Sequence, residues 1–275
     1  MQKSFSLASG TVAGADHVRA GRNNQDSRCI IHGKDFFVAV VCDGCSNMVI
    51  KTDNGEVAKP TRSEIGAALG STLVAKLLAD SVSIAGVPDW EGTRLKVIRA
   101  IADWLRPFYV EDHPPTQLVQ DFFLFTTVVS VVTPKKATFA AIGDGFMVVN
   151  GVPIKMGPYP NNEPPYLAYG LMKPADETFT FQVLCEIPTE DLENFLIGSD
   201  GCNYLSESEE KEIPNRGEKV GSVSRLWKED RFFDNPDMIR RHLTLVNGGI
   251  HSLGRGCLKD DITMIVCRKK EAQNV

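Results

Sequence analysis

The apolar positions along the chain fall into blocks of two periods. Segments 5–13 and 27–32 read as strands, and 36–42 reads as a buried strand that delivers Asp43 to its end. The polar stretch 51–62 then reads as a surface loop. From 63 to 78 the period becomes helical, with Ile65, Ala68, Leu69, Thr72, Leu73 and Leu77 on one face and Ser63 as N-cap. A second helix over 90–106 places Leu95, Ile98, Ala102 and Leu105 together and stops before Pro107.

After this helical pair the β period returns. Segments 122–133, 137–142 and 146–150 read as a meander with Gly143-Asp144-Gly145 as one of its turns, and 178–186 and 193–197 add two strands. A helix over 236–246 has Asn235 as cap, Pro236 in its first turn and Gly248 just beyond its end, and a strand over 262–268 closes the pattern. Strand clusters separated by helical blocks predict a layered domain of helices and antiparallel sheets.

Carboxylates recur at the ends of these apolar runs. VCDGCSN at 41–47 carries Asp43, FAAIGDGF carries Asp144, FLIGSDGC carries Asp200, and GCLKDDITMIV carries Asp260 and Asp261. Asp-Gly is a common turn dipeptide, and any single one of these turns has an ordinary structural explanation. Several of them at strand ends, with Asn24-Gln25-Asp26 upstream, point instead to acids that converge. Converging carboxylates repel unless a cation sits among them, and an all-oxygen set suits Mg²⁺ or Mn²⁺ rather than zinc.

Composition narrows the class of function. With 275 residues, 43% hydrophobic and 24% charged, the chain is long enough to bury a sizeable core as one domain. A net charge of −5, with no dense basic run beyond Arg268-Lys269-Lys270, argues against a nucleic-acid partner. The longest apolar runs, 36–42 and 128–132, fall far short of the about 20 residues that span a bilayer, and the first ten residues lack the apolar core of a secretory signal. The expectation is a soluble, cytoplasmic protein without a membrane partner. Seven cysteines, an odd number, read as reduced thiols packed like small hydrophobes. Cys42 and Cys45 form a CxxC, but no second pair completes a zinc site and the pair straddles a turn rather than opening a helix.

In their order, Asn24-Gln25-Asp26-Ser27, VCDG, FTTVVSVV followed by GDG, GSDG and the late DDIT resemble the signature series of metal-dependent protein phosphatases of type 2C. The resemblance runs from about residue 8 to residue 268. It is closest to a divergent bacterial branch in which a His, here His17, precedes the Gln-Asp pair. It implies an α+β fold: a four-layer α-β-β-α sandwich of two antiparallel sheets flanked by helices, as a single domain over 1–275. It also implies hydrolysis of phosphoserine and phosphothreonine by a water that bridges two divalent cations, Mn²⁺ or Mg²⁺.

On that resemblance Asp43 bridges both metals, the Gly44 carbonyl adds a ligand, and Asp200 and Asp260 hold the second metal. Asp144 and Asp200 match ligands of a third, weaker metal, although Tyr204 stands where these members carry an acid. Asp26 orients metal-held water from behind the ligands, Asn24 shapes the turn, and Gln25 replaces the frequent Glu. Asp261, where Asn is common, adds a ligand or caps the loop. An Arg before the acidic pair receives the phosphate: Arg19 and Arg22 both flank the place, and Arg22 is preferred. Cys45 occupies the position of the animal members' candidate acid, a His, and Ser46-Asn47 replaces their Gly-Gly. The segment 157–173 corresponds to a flap bordering the site. Phosphorylated protein is the implied substrate, an opposing Ser/Thr kinase the implied partner, and a monomer the implied state. A phosphatase-fold regulatory or binding module with weak catalysis is the alternative.

Overall fold

The computed structural model describes residues 4–52, 55–111, 113–160, 163–173, 176–248 and 256–270. In chain order the longer elements begin β1 (Phe5–Val12), α1 (Ala15–Ala20), β2 (Ser27–His32), β3 (Phe37–Gly44), β4 (Asn47–Thr52), β5 (Gly55–Pro60), α2 (Glu64–Ala85), α3 (Trp90–Leu105) and α4 (Thr116–Phe122). They continue with β6 (Phe125–Val132), β7 (Lys136–Ile142), β8 (Phe146–Val149), β9 (Val152–Pro153), β10 (Gln182–Pro188) and β11 (Asn194–Gly198). Short helices α5 (Cys202–Ser206), α6 (Arg225–Lys228) and α7 (Arg231–Asp234) precede α8 (Met238–Val246) and β12 (Ile262–Lys269).

Two antiparallel five-stranded sheets carry the fold, one in the order β10-β7-β6-β3-β2 and the other in the order β1-β12-β11-β8-β9. Three apolar clusters show how they stack. Phe37, Ala39 and Val41 of β3 meet Phe195, Ile197 and Ile265 between the sheets. The alternate residues Val38, Val40 and Cys42 meet Val74, Leu78, Val97 and Ile101 of α2 and α3. On the far side of the second sheet, Leu196, Met264 and Val266 meet Leu226, Phe232, Ile239 and Leu243 of α6, α7 and α8. Three interfaces make four layers, α-β-β-α. Because β3 and β6 are covered on both faces, their sequences are mainly apolar rather than alternating, with small hydroxyl side chains at Thr126, Thr127 and Ser130 of β6.

Several sequence expectations need correction. The polar stretch 51–62 is not a plain loop: β4 and β5 pair as a two-stranded hairpin, with Asp53 and Asn54 outside the described residues. The supposed meander is broken at Gly143–Gly145, since β7 and β8 belong to different sheets. There Gly143 takes φ +88° and its missing Cβ makes room for Thr126, so the chain can pass from one sheet to the other in three residues. Short α1 and α4–α7 escaped the periodicity because they are one or two turns long. Asp237, not Asn235, precedes α8, and Asn235 Oδ1 accepts from the Asp237 N–H at 2.9 Å.

The buried faces of the long helices differ most from expectation. In α2 the packed residues are Gly66, Ala67, Gly70, Ser71, Val74, Ala75 and Leu78, while Ile65 and Leu69 are 44% and 41% exposed. Small residues win this face because the helix lies close on the sheet and on α4. A Cβ at Gly66 would sit 2.1 Å from the Phe122 carbonyl oxygen, a backbone atom that cannot step aside. Gly66→Ala is accordingly expected to cost about 1–3 kcal/mol, read by urea denaturation. In α3 the face is turned by one position, to Thr93, Arg94, Val97, Ile101 and Leu105, leaving Leu95 52% exposed. Arg94 can be buried because both its Nε and NH2 donate to Glu91, at 2.7 and 2.6 Å. By length and hydropathy α2 would qualify to cross a membrane, but half of that window is buried inside the fold, where the helix packs on β2 and β3.

Candidate metal centre

The antiparallel registers bring the acidic turns to one end of both sheets. Asp43 is the penultimate residue of β3, opposite Thr126 of β6, and Asp26 immediately precedes β2, whose Ser27 faces Cys42. In the other sheet Asp200 lies two residues beyond β11 and Asp260 two residues before β12. The Ser199 N–H donates to the Thr263 carbonyl at 2.9 Å, so these two ends meet. Asp144 sits in the crossing between the sheets.

The carboxyls press on one another. Asp43 is pushed well above the usual carboxylate range by loss of solvent, and further by Asp26, Asp200, Asp260 and Asp144 around it. Asp26 is pushed up to about 8, by burial and then by the charge of Asp261, against the pull of hydrogen bonds from Ser199 and Thr263. Burial and Asp200 push Asp144 up to about 6, and the same two causes raise Asp260.

The donor set fits a hard cation. It consists of carboxylate oxygens, and Asp26 Oδ1, buried in the middle of this charge, has no hydrogen-bond partner among the described residues, while Oδ2 accepts from Ser199 Oγ at 2.7 Å. An orphaned buried carboxylate oxygen facing other acids is the arrangement that a divalent ion resolves. Ser199, the residue that holds Asp26, was missed in the sequence although it stands inside the GSDG turn itself.

Residues around the acids are tied together by hydrogen bonds. Asn24 Oδ1 accepts from the Asp26 N–H at 2.9 Å and shapes the turn, as its position implied. Gln25 is 3% exposed and its amide donates to Thr61 Oγ1 and Ser63 Oγ, both at 3.2 Å, while the Gly44 N–H donates to its carbonyl at 3.2 Å. Both hydroxyls donate in turn to the Cys45 carbonyl, at 2.8 Å from Ser63. Ser63 is thus engaged here and makes no side-chain cap on α2, contrary to expectation.

Asp261 is almost wholly buried and saturated. Its Oδ1 accepts from the Gly14 N–H at 2.8 Å, and its Oδ2 from the Gln25 N–H at 2.6 Å and from His17 Nδ1 at 2.7 Å. His17 Nε2 lies 3.0 Å from Ser46 Oγ. The ligand-type atoms of His17, Asp260 and Asp261 lie within 4.8 Å of one another, but the oxygens of Asp261 already serve three protein donors.

Beside Asp260 opens a cavity of about 320 Å³ whose lining includes His17, Arg22, Ser46, Asn47 and Tyr204. Arg22 NH1 donates to the Ser46 carbonyl at 3.4 Å. Arg19 is exposed on α1 and paired at 3.3 Å with Asp16, which belongs to that lining, whereas Arg19 itself does not.

All seven cysteines are free thiols. Burial pushes Cys42 up to about 12 and raises Cys45, so neither is a thiolate, and Cys45 Sγ donates to the Asn47 carbonyl at 3.1 Å. The segment 157–173 comes up to this side of the centre. Tyr166 shares a hydrogen bond with Cys45, and Tyr159 OH donates to the Gly143 carbonyl at 3.0 Å. Asn161 and Asn162 of that segment are outside the described residues.

A model of the family described as protein phosphatase 2C matches residues 13–229. The chain belongs to this family. Among solved structures, a variant of a bacterial serine phosphatase is similar to this 2C-type chain at a TM-score of 0.52, with 13% identity over 97% of this chain and 99% of that one. The catalytic domain of the serine threonine protein phosphatase PstP, solved with two manganese ions, is similar at a TM-score of 0.50, with 15% identity over 98% of this chain and 99% of that one. No curated protein matches. At these identities the two structures speak to the fold, and they agree with the four layers of this 2C-type phosphatase fold.

Proposed function

We propose that residues 1–275 form one phosphatase domain that removes phosphate from serine and threonine side chains of proteins, with divalent metal ions at the acidic end of the sandwich. The observation that carries this is Asp43, driven well above its ordinary pKa by burial and then by four other carboxyls around it, in a chain of the 2C family. Mutually repelling buried acids are costly, and they persist where function needs them.

Asp43, Asp200 and Asp260, with the Gly44 carbonyl, would hold two ions, Mn²⁺ or Mg²⁺, and Asp144 with Asp200 a third. Such ions supply an activated water and neutralise phosphoryl oxygens. The chain itself supplies the rest. Asp26, pinned through Oδ2 by Ser199, presents its free oxygen to the centre, where it accepts a proton or orients water. Arg22 lines the cavity beside Asp260 and offers a guanidinium to the phosphate. Gln25 buttresses the Cys45 turn through Thr61 and Ser63 rather than reaching for substrate. The segment 157–173 walls the opposite side through Tyr159 and Tyr166.

The seven free thiols favour a reducing compartment, the cytoplasm, where an opposing Ser/Thr kinase would supply the substrate. The chain is taken to work as a monomer. Release of phosphate from a phosphothreonine peptide is expected with Mn²⁺ and is expected to vanish on exhaustive chelation. Activity that survives chelation would refute the metal-dependent reading. A second reading, a binding module with weak turnover, is favoured by Cys45, a protonated thiol where animal members carry a candidate acid. Mn²⁺ binding without phosphate release would select it.

A further inference from the structure

One set of buried groups has no task in the reaction outlined above: the chain Asp261–His17–Ser46. Asp261 is 3% and His17 7% exposed; Asp261 lies behind the cavity that Arg22 lines, and His17 reaches that lining from a buried position. Asp261 holds the proton of His17 on Nδ1, which leaves Nε2 to meet Ser46 Oγ at 3.0 Å. The carbonyl of the same Ser46 receives Arg22 NH1 at 3.4 Å. Ser46 also takes the Thr61 N–H, at 3.3 Å, so the turn is gripped from both sides.

We propose that Asp261 and His17 are positioning residues for phosphate recognition: they fix Ser46, and Ser46 fixes the Arg22 guanidinium at the mouth of the cavity beside Asp260. The proposal rests on the phosphatase reading and deepens it, because it assigns a role to the His and to the second Asp of the DD pair. Long side chains such as arginine bind phosphate well only when their orientation is settled beforehand, and a carbonyl held by a buried relay settles it.

The order Asp, His, Ser is also that of serine hydrolases, in which the hydroxyl becomes a nucleophile. Positioning and nucleophilic attack make opposite predictions, so they can be separated. His17→Asn keeps a donor near the place of Nδ1 for Asp261 and removes the reach to Ser46. Ser46→Ala removes the other partner.

The test is calorimetric binding of inorganic phosphate to the Mn²⁺-loaded full chain, for the native protein, both single variants and the double variant. Each single variant is expected to weaken phosphate about tenfold, and the double variant no more than either alone, because both break the same link. For Ser46→Ala, which touches neither acid, Mn²⁺ affinity and melting temperature should stay close to native. Unchanged phosphate affinity, additive losses, or a loss that follows weakened Mn²⁺ binding would overturn the proposal. So would a covalent phosphoryl adduct on Ser46 after turnover, detected by mass spectrometry. Phosphate binding is read without catalysis, so a chain that hydrolyses nothing but shows the coupled losses would sink the phosphatase reading and leave this relay supported.

Discussion

Asp43→Asn is expected to abolish metal-dependent phosphate release and, in the same variant, to stabilise the metal-free fold. The first effect follows from position. Asp43 is the acid on which the charges of Asp26, Asp200, Asp260 and Asp144 converge, and its replacement removes the carboxylate proposed to bridge the ions. Loss of a group that merely supports a ligand costs about 10–100-fold in metal affinity or activity, so loss of this ligand should exceed about a hundredfold. The second effect comes from the same crowding. An amide keeps the volume of the carboxylate and carries no charge for its neighbours to repel, and its NH2 can donate to the acids around it. Phosphate release from a phosphothreonine peptide and urea denaturation in the presence of chelator read the two effects separately. A variant that is inactive and also less stable without metal would mean that Asp43 serves the fold rather than the ions.

Without metal, the protein should lose stability as pH rises from about 4 to about 8. Asp26 titrates near 8 in the folded chain and near 3.8 when unfolded, so between those values the folded state holds the extra proton. Stability then falls with rising pH, since it falls wherever the native state binds more protons. Asp43 and Asp144 are shifted in the same direction. His17, raised chiefly by its hydrogen bond to Asp261, adds to the trend above about pH 6.5, because its contribution is lost as pH climbs through its folded value. Each tenfold gain in proton affinity on folding is worth ~1.4 kcal/mol, and each kcal/mol moves the melting temperature of a chain this size by ~2–4 °C. With chelator, the melting temperature should therefore be on the order of 10 °C lower at about pH 8 than at about pH 5. Millimolar Mn²⁺ should recover most of that loss at the higher pH and change little at the lower, where protons already do the neutralising. A melting temperature that is flat across this range in chelator would show that the carboxyls are not packed against one another.

The strands were legible from the sequence because β3, β6 and β12 are buried on both faces and therefore mainly apolar over most of their length. Their acidic ends were legible for the same reason, since a charge at the edge of such a run stands out. What could not be read was which sheet each strand joins. β7 and β8 are separated by three residues, Gly143–Gly145, and only the tertiary fold shows that this short piece crosses between sheets. Helix faces misled because periodicity gives weight to large apolar residues, whereas α2 packs through Gly66, Ala67, Gly70 and Ala75. The acids of the proposed site were picked out by their turns. Ser199 under Asp26 was not, and Asp261 was read as a ligand or loop cap rather than as the partner of His17, because a hydrogen bond spanning 173 or 244 residues leaves no local mark.

The acids are shared between the sheets: Asp26 and Asp43 come from one, Asp200 and Asp260 from the other. Their separation is therefore inherited from the thickness of the layer between the sheets. There Phe195 of one sheet stacks on Phe37 at 6.3 Å and meets Phe139 edge-on at 5.3 Å, both from the other. These rings act as a spacer for a gap they never touch. Oxygen ligands lie about 2.0–2.1 Å from Mg²⁺ and about 2.3–2.6 Å from Ca²⁺. Discrimination between such ions is a matter of a few tenths of an ångström, and at the proposed centre that tolerance would be set by phenylalanine side chains in the middle of the sandwich.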